Sequence, residues 1–264
     1  MEFSAHPERI EMRFLITNDD GILAHGIECL VAAAEPLGEV TVVAPDREQS
    51  ATSHSLTLHH PLRPVRRGER KWQVDGTPTD CVMLAIDALM PERPDFVLSG
   101  INHGQNMGED VLYSGTVAAA MEGLALGVPS IAISFAGGDL RADVSQLKQQ
   151  VKVLTPLLAH LTSLPNFPAN TLFNVNLPPR SADAVKGTKL TRLGRRVYSQ
   201  SVAPMKDPWG RQIYWIGGGA ISWTGDLDSD FRAIEDGYVS VTPLHLDLTH
   251  YGVLDEAATW WREL

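Results

Sequence analysis

At 264 residues, 44% of them hydrophobic and 20% charged, the chain can bury a sizeable core and reads as one large α/β domain or a domain with an appendage. No apolar run approaches the roughly 20 residues that cross a bilayer. A formal net charge of -10 argues against a polyanion-binding surface, so neither a membrane nor long nucleic acid is an expected partner.

Met1 to Glu11 has no periodicity and is expected to be a disordered extension or an upstream start, with the folded part beginning at Met12. Arg13 to Thr17 is a short, β-branched run stopped by Asn18-Asp19-Asp20-Gly21, the pattern of a buried strand ending in a turn. Ile22 to Glu35 carries apolar residues at helical spacing and stops before Pro36 and Gly38; Val40 to Ala44 is a second buried strand, closed by Pro45-Asp46-Arg47. A short strand at Trp72 to Val74 leads to Thr77-Pro78-Thr79-Asp80, where a hydroxyl cap, a proline at the first helical position and an acid in the first turn open a helix expected to reach Met90. Phe96 to Ser99, a helix from Thr116 to Leu126 stopped by Gly127, and a strand from Ser130 to Ser134 follow. Strands alternating with helices predict right-handed crossovers and a mostly parallel α/β sheet flanked by helices.

Beyond about residue 140 the pattern changes, so 12–140 is read as the core and 141–264 as a C-terminal part. A helix from Val144 to His160 precedes a strand at Leu172 to Val175. Short β-like pieces follow around Leu190, Val197 and Ile213, with Gly217-Gly218-Gly219 as a flexible joint. Segment 196–216 mixes charge with Tyr198, Trp209, Tyr214 and Trp215, which suits an extended β-hairpin arm on a partner subunit more than a core layer. A last strand at Val239 to Thr242 and an amphipathic helix from Leu254 to Leu264 complete the chain. Cys29 and Cys81 lack CxxC spacing and are expected as buried thiols, with cytoplasmic residence as the default.

Open α/β sheets place their chemistry beyond the carboxyl ends of parallel strands, and the first strand delivers two adjacent acids there, Asp19 and Asp20. An Asx turn or helix cap would account for either alone. Two unit charges about 4 Å apart repel by roughly 4 kcal/mol at an effective dielectric near 20, so something positive should sit between them, most simply a divalent cation. A second constellation, Ser99-Gly100-Ile101-Asn102-His103-Gly104-Gln105-Asn106-Met107-Gly108, runs on to Tyr113-Ser114-Gly115-Thr116. Its glycines permit close backbone approach, and Ser114, Gly115 and Thr116 would present hydroxyls and amides at a helix N-terminus, a phosphate-sized anion site. The strand ends should bring Asp19 and Asp20 near Ser50 and Asn102. Those hard oxygen ligands suit Mg²⁺, Mn²⁺ or Ca²⁺. Neither HExxH nor clustered His/Cys spacing supports zinc, and His103, beside Asn102, is the one histidine considered as an acid for the leaving oxygen.

Three further readings are open at this stage. A haloacid-dehalogenase-type phosphatase needs two acids separated by one residue, whereas these are adjacent. A serine hydrolase needs a GxSxG elbow, but Ser114 lies in Tyr-Ser-Gly. A catalytically silent nucleotide-binding or scaffold protein is the third, although the lack of a Walker loop or GxGxxG after the first strand weakens any ATPase or dinucleotide version of it.

Together, Asn18-Asp19-Asp20-Gly21, Val43-Ala44-Pro45-Asp46-Arg47-Glu48-Gln49-Ser50, Val74-Asp75-Gly76-Thr77-Pro78-Thr79-Asp80-Cys81, the glycine-rich stretch, Tyr113-Ser114-Gly115-Thr116-Val117 and Gly237-Tyr238-Val239-Ser240-Val241-Thr242-Pro243-Leu244 resemble the successive motifs of the SurE family of survival-protein 5′-nucleotidases. The resemblance covers nearly the whole chain from Met12. It implies a Rossmann-like α/β fold and a metal-dependent phosphomonoesterase acting on nucleoside 5′-monophosphates, often 3′-monophosphates, and in some members short polyphosphate. By motif position, Asp19, Asp20, Ser50 and Asn102 correspond to the ligands of one divalent cation, with Asp19 and Asp20 also catalytic. Asn106, Ser114, Gly115 and Thr116 fall where the family holds the phosphate. The family's C-terminal part exchanges elements between subunits, which implies a homodimer or homotetramer. His25 departs from a common proline, and His103 and Gln105 are departures within the glycine-rich loop; the ligand positions are intact.

Overall fold

The computed structural model describes residues 12–137, 140–198, 202–216 and 221–261; the expected leader before Met12 and the joint at Gly217-Gly218-Gly219 lie outside them. In chain order the elements are β1 (Met12–Thr17), α1 (His25–Ala34), β2 (Gly38–Pro45), β3 (Pro64–Gly68), β4 (Lys71–Val74), α2 (Pro78–Leu84), β5 (Phe96–His103), α3 (Gly115–Ala125), β6 (Ser130–Phe135), α4 (Leu140–Thr162) and β7 (Thr171–Leu177). They continue as β8 (Thr188–Leu190), β9 (Arg195–Tyr198), β10 (Val202–Lys206), β11 (Gln212–Ile216), β12 (Ile221–Thr224), α5 (Asp230–Asp236), β13 (Val239–His245) and α6 (Tyr251–Trp260).

Nine strands form one sheet in the order β3-β4-β2-β1-β5-β6-β7-β13-β8. The pairs from β4 through β7 are parallel, while β3 runs antiparallel to β4 and β13 antiparallel to β7. Side chains alternate across β1. Phe14 and Ile16 face α1 and α4 with Ile27, Leu30, Leu147, Leu154 and Leu158, and Leu15 faces Cys81, Val82 and Ala119 of α2 and α3. Both faces are therefore covered, which is why β1, β5 and β6 read as continuous apolar runs. Cys29 and Cys81 are free and buried, as expected.

The expected elements differ from the observed ones where local geometry intervenes. Helix α1 begins at His25 because Gly21, at φ +94°, turns the chain and the Ala24 N–H closes that turn on the Gly21 carbonyl at 3.0 Å. The helix expected to reach Met90 is α-helical only to Leu84 and widens into a π-turn at Ala85–Leu89; at its start Thr77 and Asp80 form the expected capping box. Strand β5 extends to His103 through an irregularity between Ser99 and Asn102, so Asn102 lies on the strand. Ser114, ahead of Thr116, caps α3 by accepting the Val117 N–H.

The arm region is two antiparallel ladders separate from the main sheet, β10 with β11 and β9 with β12. Met205, Trp209, Tyr214, Trp215 and Ile216 on the first of these are exposed. Helix α6 starts at Tyr251, three residues ahead of the expected Leu254, and buries none of its residues; residues 262–264 lie outside the described part. Among the described residues no helix is long and apolar enough to cross a membrane.

Candidate active site

In the sheet β1 lies between β2 and β5, so the chain leaves all three strands at one edge. Thr17 pairs with Ser99. Asp19 follows β1 immediately and Asn102 stands near the end of β5. The backbone of the loop after β2 is tied in by the Gln49 N–H, which donates to the Asp19 carbonyl at 2.7 Å, bringing Ser50 to the same edge. The turn itself is fixed by Asn18, whose Nδ2 donates to the Gly21 carbonyl at 2.9 Å.

Asp19 is buried. Its Oδ1 accepts a short hydrogen bond from the Thr116 hydroxyl, and Gly115 backs onto it so closely that a Cβ there would stand 2.9 Å from the Asp19 Cβ and 3.0 Å from its Oδ2. Glycine at 115 is thus required by the carboxylate behind it. Asp20 Oδ2 accepts the His103 N–H at 3.0 Å, and its Oδ1 lies 3.8 Å from His103 Nδ1. Among the described residues neither carboxylate is ion-paired with a lysine or arginine. Burial pushes the Asp19 carboxyl from its ordinary 3.8 up to about 6, against the Thr116 hydrogen bond and helped by the Asp20 charge. Burial likewise pushes Asp20 up to about 6, against the His103 N–H and with the charge of Glu48 adding to it. Burial and the neighbouring His25 push the His103 imidazole down, towards its neutral form.

These shifts fix a sign for stability. Between pH 4 and 6 the native state binds more protons than the unfolded chain, so folding is favoured below that window and loses support as the pH rises through it. The rise from 3.8 to about 6 corresponds to about 3 kcal/mol per group. In chelator, Asp19→Asn should therefore melt higher than wild type at pH 7, with the gap closing by pH 4. A variant that melts lower at pH 7 contradicts the assignment.

The neutral candidate ligands keep acceptor oxygens. Ser50 Oγ donates its proton to Glu48 Oε1 at 2.6 Å, which leaves its lone pairs to accept, and Asn102 Nδ2 donates to the Gly104 carbonyl at 2.9 Å, which leaves its oxygen to act as acceptor. Among the described residues no three His, Cys, Asp or Glu side chains gather closely enough to hold a metal by themselves; a carboxylate pair completed by neutral oxygens fits a hard cation. At the phosphate end, Ser114 is buried as the α3 cap. The Thr116 hydroxyl is committed to Asp19, so Thr116 positions a carboxylate where sequence suggested an oxyanion donor.

The residues that hold Asn106 and the glycine-rich stretch in place escaped the sequence reading. Asn106 is held at its N–H, its side-chain amide and its carbonyl: the N–H donates to Asn176 Oδ1 at 2.9 Å and Nδ2 to Ser134 Oγ at 2.8 Å. Its carbonyl accepts from Asn174 at 2.8 Å and Asn176 at 3.0 Å. Asp230 accepts the Gly108 and Gly194 N–H groups, each at 2.9 Å. The available signal was Asn174-Val175-Asn176 inside an apolar strand, since buried amides demand partners. Glu48, the third carboxylate beside Asp20, had no distinguishing signal.

The family model described as "Survival protein SurE" matches residues 14–200. The chain belongs to the SurE family. The matched span contains Asp19 and Asp20, the Ser50 loop, the glycine-rich stretch, the start of α3 and the Asn174–Asn176 support. A Gemmatimonas aurantiaca protein named 5′-nucleotidase SurE is 71% identical over 252 residues, covering 96% of this chain and all of that one. A protein of the same name from Pelobacter propionicus is 46% identical over 94% of this chain and 99% of its own. Among solved structures, the SurE protein from Aquifex aeolicus superposes with a TM-score of 0.82 at 42% identity, covering 94% of this chain and 99% of that one.

Proposed function

We propose that this chain is a divalent-metal-dependent phosphomonoesterase that hydrolyses nucleoside 5′-monophosphates to nucleoside and phosphate, with 3′-monophosphates and short polyphosphate as further substrates. The nucleotidase activity rests on relatives named for it, at up to 71% identity over nearly whole chains. The single observation that carries the metal dependence is the unneutralised Asp19–Asp20 pair, with Asp19 buried against the start of α3 and Asp20 half-buried beside it.

In this reading Asp19, Asp20, Ser50 and Asn102 hold one Mg²⁺ or Mn²⁺ per subunit, with Ca²⁺ a weaker alternative. When bound, such an ion offsets phosphate charge and makes a coordinated water more acidic. Thr116 keeps Asp19 in one rotamer, and Asp19 orients the attacking water or takes its proton. Asn106, Ser114 and the backbone of Gly115 and Thr116 face the phosphate oxygens, where preorganised donors lower the barrier most. The exposed aromatic residues of the β10–β11 arm, together with α6, pack on a second copy, giving a dimer or tetramer; the enzyme works in the cytoplasm.

A phosphate-release screen of nucleoside 5′- and 3′-monophosphates and short polyphosphate, crossed with Mg²⁺, Mn²⁺ and Ca²⁺, tests this. Release confined to reactions containing a divalent cation is expected, with 5′-monophosphates among the substrates turned over. Equal release in chelator would remove the metal from the reading.

A further inference from the structure

We propose that His54 and Glu122 form a latch that positions Ser50, and are thus positioning residues for the metal site; the inference rests on the metal reading above. Residues 46–63, between β2 and β3, form neither helix nor strand, and Ser50 lies within this loop. Its near end is tied by the Gln49 N–H to the Asp19 carbonyl at 2.7 Å. Its far end is tied by Thr57, whose N–H and hydroxyl donate to Asp80 at 2.9 and 2.6 Å. Between these anchors Ala51 and Ser53 adopt φ values of +57° and +52°. Side-chain-bearing residues rarely take this left-handed conformation, and it persists only where the surroundings hold it.

What holds it is α3 and the turn before it. Ser53 donates its hydroxyl to the Leu112 carbonyl at 2.8 Å and its N–H to the Tyr113 carbonyl at 3.3 Å. His54 Nε2 meets Glu122 Oε2 at 2.7 Å. Glu122 is only 8% exposed, and among the described residues His54 is the sole side-chain partner of its carboxylate. A buried carboxylate left without its partner is costly, which favours keeping His54 against α3. Because α3 also begins with Ser114, Gly115 and Thr116, the latch refers the Ser50 loop to the same rigid element that faces the phosphate and holds Asp19. Neither residue reaches the site itself; their effect passes through the loop.

The test is Mn²⁺ binding to the chelator-treated full chain, followed by calorimetry and by the electron paramagnetic resonance of free Mn²⁺. His54→Ala should bind Mn²⁺ about 10-fold more weakly, no more than the least that losing a direct outer partner of a metal ligand costs because the effect passes through the loop, with kcat at saturating Mn²⁺ near wild type. His54→Gln, which restores a donor, should recover most of the loss. Glu122→Ala should show the same loss and removes the buried charge, so it serves if His54→Ala does not fold. The double variant should lose about 10-fold, not 100-fold. Wild-type affinity in both single variants, or multiplicative losses in the double variant, would overturn the latch while leaving the metal site standing. A wild-type chain that binds no Mn²⁺ would overturn both.

Discussion

Asp19→Asn is expected to lower metal-dependent phosphate release by about three orders of magnitude or more, the scale of losing a group that acts on charge in the transition state, while the protein stays folded. The amide oxygen of asparagine can still accept from the Thr116 hydroxyl, and the change removes a charge that burial disfavours. What is lost is half of the negative charge that attracts the cation. Steady-state rates with 5′-AMP at saturating Mn²⁺, alongside circular dichroism, measure both parts. Wild-type turnover would remove Asp19 from the active site, and an unfolded variant would make it a structural residue.

The largest expected effect on stability lies behind the site. A Cβ added at Gly26 would stand 1.9 Å from the carbonyl oxygen of Ile101 and 3.0 Å from its carbon. Both partners are backbone, so α1 must move off β5. That movement would disturb Ile27 and Leu30, which are buried against the sheet. Gly26→Ala should therefore cost about 3 kcal/mol, the upper end of ordinary overpacking. Because Ile101 directly precedes Asn102, metal affinity should fall as well. Urea unfolding of the metal-free protein reads the first effect; a midpoint equal to that of wild type would show that the helix is not packed on the strand as described.

How much of this was legible in the sequence depended on how local the cause was. The buried run before Asp19 and the Thr77–Asp80 capping box were legible because pattern and cap lie within a few residues. Strand β3 was not, because Pro64-Val65-Arg66-Arg67-Gly68 is a charged edge strand exposed at every position, without an apolar face to mark it. The role of the Thr116 hydroxyl depends on a partner 97 residues away, and the grip of Asn176 on Asn106 on one 70 residues away; neither leaves a periodicity. The placement of Asn102 on the strand reflects the irregularity in β5, which residue type does not announce. The carboxylate pair itself was legible because two adjacent acids at the end of an apolar strand pose an electrostatic problem without any reference to the fold.

The central claim is that this pair works by holding a divalent cation. Phosphate release from 5′-AMP by the chelator-treated full-length protein, measured before and after Mg²⁺ or Mn²⁺ is restored, tests it most directly. Near-zero release that returns with the metal is predicted, and undiminished release in chelator would contradict it.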